Sequence, residues 1–479
     1  MLHSPQISTS SLRPPAGRPV MTREQLTALA KRIMAMASTD VLEVKVSHVA
    51  RVITILANGQ VLGSDDGDDV SIRVAMISGD YSRQAAINLN QIDDTTLRAM
   101  IQWCEAEVRS RIGYRERLIP AQQRVQDTYL PVHLWHDATV GAMATARSDV
   151  VPELLATVSR AGLTAAGFLG LMARADAVMT NDGIFAFHEE TDSEITVTAR
   201  TPDGKGSGWG GQAVRNWDQM RPPDVAARAV DVAKRAANPV ALEPGRRTAI
   251  LSPAAVAQVL RFLADQFDAL GTDTGTTAFS KAPRGNKLGQ RVVDARINMR
   301  SDPADPEGGF CPWFDLGLAN SNMSWVEHGV LKNLAYYLGY AMARGKPYSE
   351  IPLSIRVSGG SASVDQMIAN CADGVYVNRF SGVDLIDRST CLTTGVTRDG
   401  CFYVKDGKIS KAIKNFRFLE SPFFFLNKIE MLGVPERAAF GFTPKSLYES
   451  GIDAWPRRPI IVPPMMVRDF NFNAIADAV

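Results

Sequence analysis

Apolar residues recur three and four apart over Thr22–Ala37 (Leu26, Leu29, Ala30, Ile33, Met34), which predicts an amphipathic helix. The period then changes. Val44, Val46, Val52 and Ile55 mark a strand over Val41–Ile55, Asn58-Gly59 supplies a turn, and Val70–Ser78 reads as a further strand. Asp93–Ile112 returns to helical spacing, with two aspartates at its start and Leu97, Met100, Ile101, Cys104 and Val108 along one side. Arg115–Trp135, with its prolines and polar residues, predicts an irregular connection, and Thr145–Ala161 another helix. Residues 165–179, 184–192 and 194–200 then read as an antiparallel meander, turning first at Asn181-Asp182-Gly183. Thr201–Trp217 is glycine-rich and predicts a flexible or closely packed loop before a helix over Pro222–Ala237. Asn238–Gly245, with Pro239 and Pro244, marks a domain boundary.

Thr248–Leu270 carries the most structured signal in the chain. Ala249, Ile250 and Leu251 form a short apolar strand, Ser252 is a good N-cap, and Pro253 stands where a missing N–H costs nothing. Val256, Val259, Leu260, Leu263 and Phe267 predict a helix with one buried face running to Phe267. Beyond it the chain turns β-rich. Short strand-like stretches fall at residues 291–299, 308–317, 323–337, 353–360, 374–382, 399–412 and 414–420. Asp406-Gly407, flanked by Val404 and Ile409, is a hairpin turn. Short helices are expected at Ser363–Cys371 and Pro422–Leu432. The fold class expected is α+β: a disordered tail over 1–20, a mixed N-terminal domain over 21–240, and a β-rich, barrel-like C-terminal domain over 245–479.

Composition narrows the function classes. With 479 residues the chain is too long for one ordinary core. Lys+Arg 52 against Asp+Glu 51 leaves +1, which argues against nucleic acid or a membrane surface as a charge-driven partner. No apolar run is long enough for a transmembrane helix, and the N-terminus lacks signal-peptide character, so a cytoplasmic location is expected. The five cysteines (Cys104, Cys311, Cys371, Cys391, Cys401) form no C-x-x-C and read as reduced thiols.

Candidate chemistry is sparse. The glycines of Gly204–Gly211 are not followed by the helix and acidic residue of a dinucleotide loop, and no P-loop occurs. His188 and Glu190 share a strand face near Asp192, while Glu189 points away; two facing groups are too few for a metal. His328 sits at a strand–turn junction, and His133 and His136 have only Asp137 beside them. There is no G-x-S-x-G elbow. Cys391 or Cys401 as a nucleophile would need a histidine from far along the chain.

Several stretches, in order, resemble the TldD/PmbA (TldD/TldE) family of metallopeptidase-related proteins. They are GSGWGG (Gly206–Gly211), Leu242–Leu260, Pro306–Leu334 and the closing run Gly374–Gly433. The resemblance implies two-domain protomers that dimerise, with themselves or as TldD–TldE pairs, around a cavity admitting unfolded peptides. It also implies that active members carry H-E-x-x-x-H on the helix after Ser252, completed by a C-terminal cysteine, with zinc as the expected metal. Laid onto this chain, that motif puts Arg261 and Gln266 at the histidines and Phe262 at the glutamate. No histidine occurs between His188 and His328, so a shifted register does not restore it. The expectation is a TldE-like, non-catalytic subunit without cofactor, with zinc only in a TldD-like partner. A self-contained peptide-processing or homodimeric peptide-binding protein, using His188, Glu190 or Cys401, stands as the alternative.

Overall fold

The computed structural model describes residues 14–38, 41–78, 81–89, 93–110, 114–115, 129–181, 183–283, 285–314, 317–441 and 458–476. The chain is α+β, 26% helical and 41% strand. Its first half builds one antiparallel sheet from β1 (Val41–Ala57), β2 (Gln60–Ser78), β3 (Tyr81–Leu89), β4 (Tyr114–Arg115), β5 (Thr164–Thr180), β6 (Phe185–Arg200) and β7 (Ser207–Val214). The strand order is β4-β3-β2-β1-β5-β6-β7. Helix α1 (Arg23–Met34) opens with a capping box between Thr22 and Gln25. Its Leu26, Leu29, Ala30 and Ile33 pack with Leu97, Met100 and Ile101 of α2 (Asp94–Arg109) onto Val44, Val46, Ile72 and Val74 of the sheet. Helices α3 (Asp137–Arg160) and α4 (Pro222–Arg235) cover the β5–β7 end.

Several sequence expectations change in this half, and residues 184–192 and 194–200 join into the single strand β6. First, the strand over Val41–Ile55 and the further strand over Val70–Ser78 are the two arms of one long hairpin, turning at Asn58 (φ 51°) and Gly59 (φ 73°). Its acidic run stays in β2 because neighbouring side chains pair with it: Arg51 reaches Asp65 (3.2 Å) and Asp69, Arg147 reaches Asp66 (3.1 Å), and the His48 ring reaches Asp68. Second, α3 starts at Asp137 rather than Thr145, since its early buried face is Thr139, Ala142 and Ala146, side chains too small to mark a period. Third, the glycine-rich loop is strand β7. Of the expected tail, residues 1–13 lie outside the described residues, whereas Val20 is fully buried and Arg18 lies 4.4 Å over the Trp135 ring.

The glycines of β7 let α4 sit directly on the strand. A Cβ at Gly208 would fall 2.2 Å from Ala233 N and 2.3 Å from Ala229 O, both helix backbone. Gly208→Ala is therefore expected to cost roughly 1–3 kcal/mol in equilibrium unfolding. The control is Gly63→Ala in β2, where nothing lies within 4 Å of the added methyl; it should stay within about 0.5 kcal/mol. Equal effects would contradict this account of β7.

The second half contributes β8 (Gly245–Leu251), β9 (Met299–Ser301), β10 (Met323–Glu327), β11 (Val330–Leu331), β12 (Ile355–Val357), β13 (Asp373–Asp387), β14 (Leu392–Lys405), β15 (Lys408–Ala412), β16 (Phe416–Glu420), β17 (Ile429–Leu432), β18 (Glu436–Arg437), β19 (Ile460–Val462) and β20 (Met465–Ile475). Strands β13, β8, β20, β16 and β14 close into a five-stranded barrel through the β13–β14 pairing. A six-stranded sheet, β11-β10-β9-β12-β19-β18, stands beside it. Helix α5 (Pro253–Leu260) packs on both, against β13 and β19. It is buried on nearly every side, with only Pro253 and Gln258 partly exposed, so the expected one-sided helix is a core element.

The helix also ends earlier than its periodicity predicts. From Arg261 to Phe267 the chain continues as 3₁₀ turns. The expected helix at Pro422–Leu432 is helical only over Pro422–Phe425, because Ile429–Leu432 is claimed by pairing with β20. Residues 308–317, read as strand-like, form no named strand among those described. No helix among the described residues is long and apolar enough to cross a membrane.

Candidate functional site

The segment matching the metal motif is held by good local chemistry. Ser252 Oγ accepts from Ala255 N (3.2 Å) and donates to Asn378 O, which fixes the strand-to-helix turn on the barrel. The three motif positions then diverge. Arg261 donates from Nη2 to Val383 O (2.8 Å) and lies 4.7 Å from the Phe262 ring. Phe262 is 8% exposed in the core. Gln266 is fully buried; its Oε1 accepts from Ala278 N (2.9 Å), and its Nε2 has no hydrogen-bond partner.

These residues do not fit zinc. The ion needs several N, S or O donors converging at about 2.0–2.3 Å, whereas a guanidinium brings positive charge, a phenyl ring no donor, and Gln266 an orphaned N–H. Among the described residues no group of three or more His, Cys, Asp and Glu could hold a metal ion. Burial pushes the thiols of Cys391 and Cys401 up to about 12 and that of Cys371 up to about 11.

The structure does bring His188 and Glu190 together, 3.7 Å apart, but as parts of a larger seam. His188, Glu190, Asp192 and Glu194 occupy one face of β6 by strand alternation, and that face meets the second half of the chain. Glu190 accepts from Arg215 Nη1 (3.1 Å), and Arg215 also donates to Thr191 O (3.2 Å) and, across the seam, to Gly309 O (2.5 Å). Asp192 takes Arg437 Nη2 (2.6 Å). Glu194 Oε1 accepts from Phe440 N (2.9 Å) and Gly441 N (2.6 Å). The acidic face of β6 thus fastens the two halves together.

A cavity of about 360 Å³ opens along this seam, lined among others by Lys45, Arg174, Asp176, Glu190, Arg215 and Arg458. Its charges are mostly matched. Arg174 grips Asp176 through Nε (2.6 Å) and Nη2 (3.0 Å). Burial opposes ionisation of Glu190, but the neighbouring His188, Arg215 and Arg174 outweigh it and hold the carboxyl well below the usual range. Burial and the Asp176 charge push the Cys311 thiol well up, so it is no thiolate. Cys401 lies elsewhere, on a separate cavity of about 500 Å³ beside Asp399 and Lys205. The structure therefore does not join Cys401 to His188 and Glu190. His136 is the N-cap residue of α3, and His328 sits exposed in the turn between β10 and β11.

Residues 244–474 match the family described as PmbA/TldA metallopeptidase C-terminal domain. The match places the second half of the chain in the TldD/PmbA family. An Archaeoglobus fulgidus protein named metalloprotease is 25% identical to this chain over 143 residues, spanning 27% of the chain and 32% of that relative's length. The whole fold is shared with TldE from Thermococcus kodakarensis, with a TM-score of 0.76 and 14% identity over 93% of this chain and 99% of that one. A Thermotoga maritima protein studied as a candidate modulator of a DNA gyrase gives a TM-score of 0.77 and 13% identity over 94% and 98%. At such identities the likeness is one of fold.

Proposed function

We propose that this chain is a TldE-like, non-catalytic subunit of a cytoplasmic metalloprotease, which helps to enclose an unfolded peptide while a TldD-like partner supplies zinc and cleaves it. The observation carrying this reading is the divergence of Arg261, Phe262 and Gln266, which occupy the metal-motif positions without forming a donor set. The scaffold around them is intact: capped helix, closed barrel and seam are all present. A self-contained enzyme built on His188, Glu190 or Cys401 finds less support, since the first two belong to the ion seam and the third is a buried, protonated thiol.

The test is co-expression with a TldD-like chain, followed by size-exclusion chromatography, metal analysis and assay on an unfolded peptide. The pair should co-elute and cleave, with zinc on the partner alone. The chain purified by itself should hold sub-stoichiometric zinc and leave the peptide intact. One tightly bound zinc per chain, or cleavage by the chain alone, overturns the reading.

A further inference from the structure

Arg261 and Arg458 line one small cavity whose remaining walls, including Ala264, Ile355, Phe440 and Ile460, are largely apolar. Arg458 also lines the ion-seam cavity, so its side chain stands where the two spaces adjoin. The other arginines of that larger cavity are neutralised at contact distance, Arg174 by Asp176 and Arg215 by Glu190. Arg458 is not. Its Nη1 donates to Pro352 O at 3.3 Å, and no carboxylate among the described residues forms an ion pair with it. Asp265 and Glu350 act on it only through space. A half-buried guanidinium between apolar walls, with no contacting anion among the described residues, is costly unless a counter-charge arrives.

The small cavity offers about 20 Å³, room for one small polar group rather than a whole side chain. A carboxylate suits both the size and the planar, bidentate donor face of arginine. We propose that Arg458, with Arg261 beside it, forms a subsite for a carboxylate of the captured peptide, carried either by its C-terminus or by an Asp or Glu side chain. The proposal rests on the peptide-capturing role put forward above. In this view the position aligned with the first histidine of the metal motif contributes substrate charge recognition in place of metal binding.

The experiment measures fluorescence anisotropy of a short labelled neutral peptide in three forms: C-terminal amide, free C-terminal carboxylate, and amide with one internal Glu. The protein is the full chain in the assembly in which it purifies. At least one carboxylate form should bind roughly tenfold tighter than the neutral amide, and which one does so identifies the source of the carboxylate. The ratio should fall towards one in Arg458→Gln and be partly kept in Arg458→Lys, which also decides the matter if the glutamine variant fails to fold. Equal affinities for all three peptides, or a ratio unchanged in Arg458→Gln, overturn the subsite and leave peptide capture standing. Failure to bind any of the three overturns both.

Discussion

Arg215→Ala is expected to destabilise the protein by roughly 3–5 kcal/mol, the cost of stripping one partner from a buried ion pair. Arg215 is 2% exposed and serves three acceptors: Glu190, the Thr191 carbonyl in β6 and the Gly309 carbonyl in the other half of the chain. Its loss leaves Glu190 buried with less to support its charge. The pH dependence gives a second readout. The folded pKa of Glu190 is depressed, so its stabilising contribution is complete above the ordinary glutamate value of about 4.3 and is lost as pH falls below it. Arg215→Ala should shrink that acid limb. The double variant Arg215→Met with Glu190→Leu should recover part of the loss, because it removes the stranded charge together with its partner. Urea unfolding across pH distinguishes these outcomes. A single variant within about 1 kcal/mol of the native chain would show that the seam is surface-like.

The sequence displayed this seam only in part. His188 and Glu190 were legible as neighbours on one strand face because alternation is a local rule. Arg215, Arg437 and the Phe440–Gly441 backbone were not, since they meet β6 from 24 to 247 residues away, and no local period encodes such distances. The same division runs through the fold. The Asp406-Gly407 hairpin was legible because positive φ at both turn residues demands such a pair, and Val404 does face Ile409. Strand β7 was hidden by the glycines that make it work, their composition signalling a loop while α4 requires bare backbone. The acidic run in β2 was hidden by partners on β1 and α3. The segment after Ser252 was located correctly by cap and proline, yet its change to 3₁₀ turns at Arg261 left no mark in the apolar spacing.

Phe470→Ala should cost roughly 3–5 kcal/mol, comparable to the loss expected at Arg215 but by a different mechanism. Phe470 is fully buried inside the barrel, its ring 5.8 Å from Phe380, 5.6 Å from Phe418, 6.0 Å from Phe425 and 5.0 Å from Phe472. It reaches that position through an irregularity in β20, where Asp469 takes a positive φ of 55° and the register with β8 shifts between Val467 and Phe470. Truncation removes most of a ring from a cluster whose members touch one another, and the barrel wall cannot collapse to fill the gap without breaking strand pairing. Phe470→Leu, which keeps much of the volume, should cost less than the alanine change. Strand β20 pairs with β8, the strand that feeds Ser252 and α5, so a loosened barrel also loosens the ground on which Arg261 stands. The alanine variant should therefore weaken carboxylate discrimination at Arg458 as well as lower the unfolding midpoint, whereas Arg215→Ala acts first on the seam. Loss of less than about 1 kcal/mol on Phe470→Ala would mean that the aromatic cluster is not what holds the barrel closed.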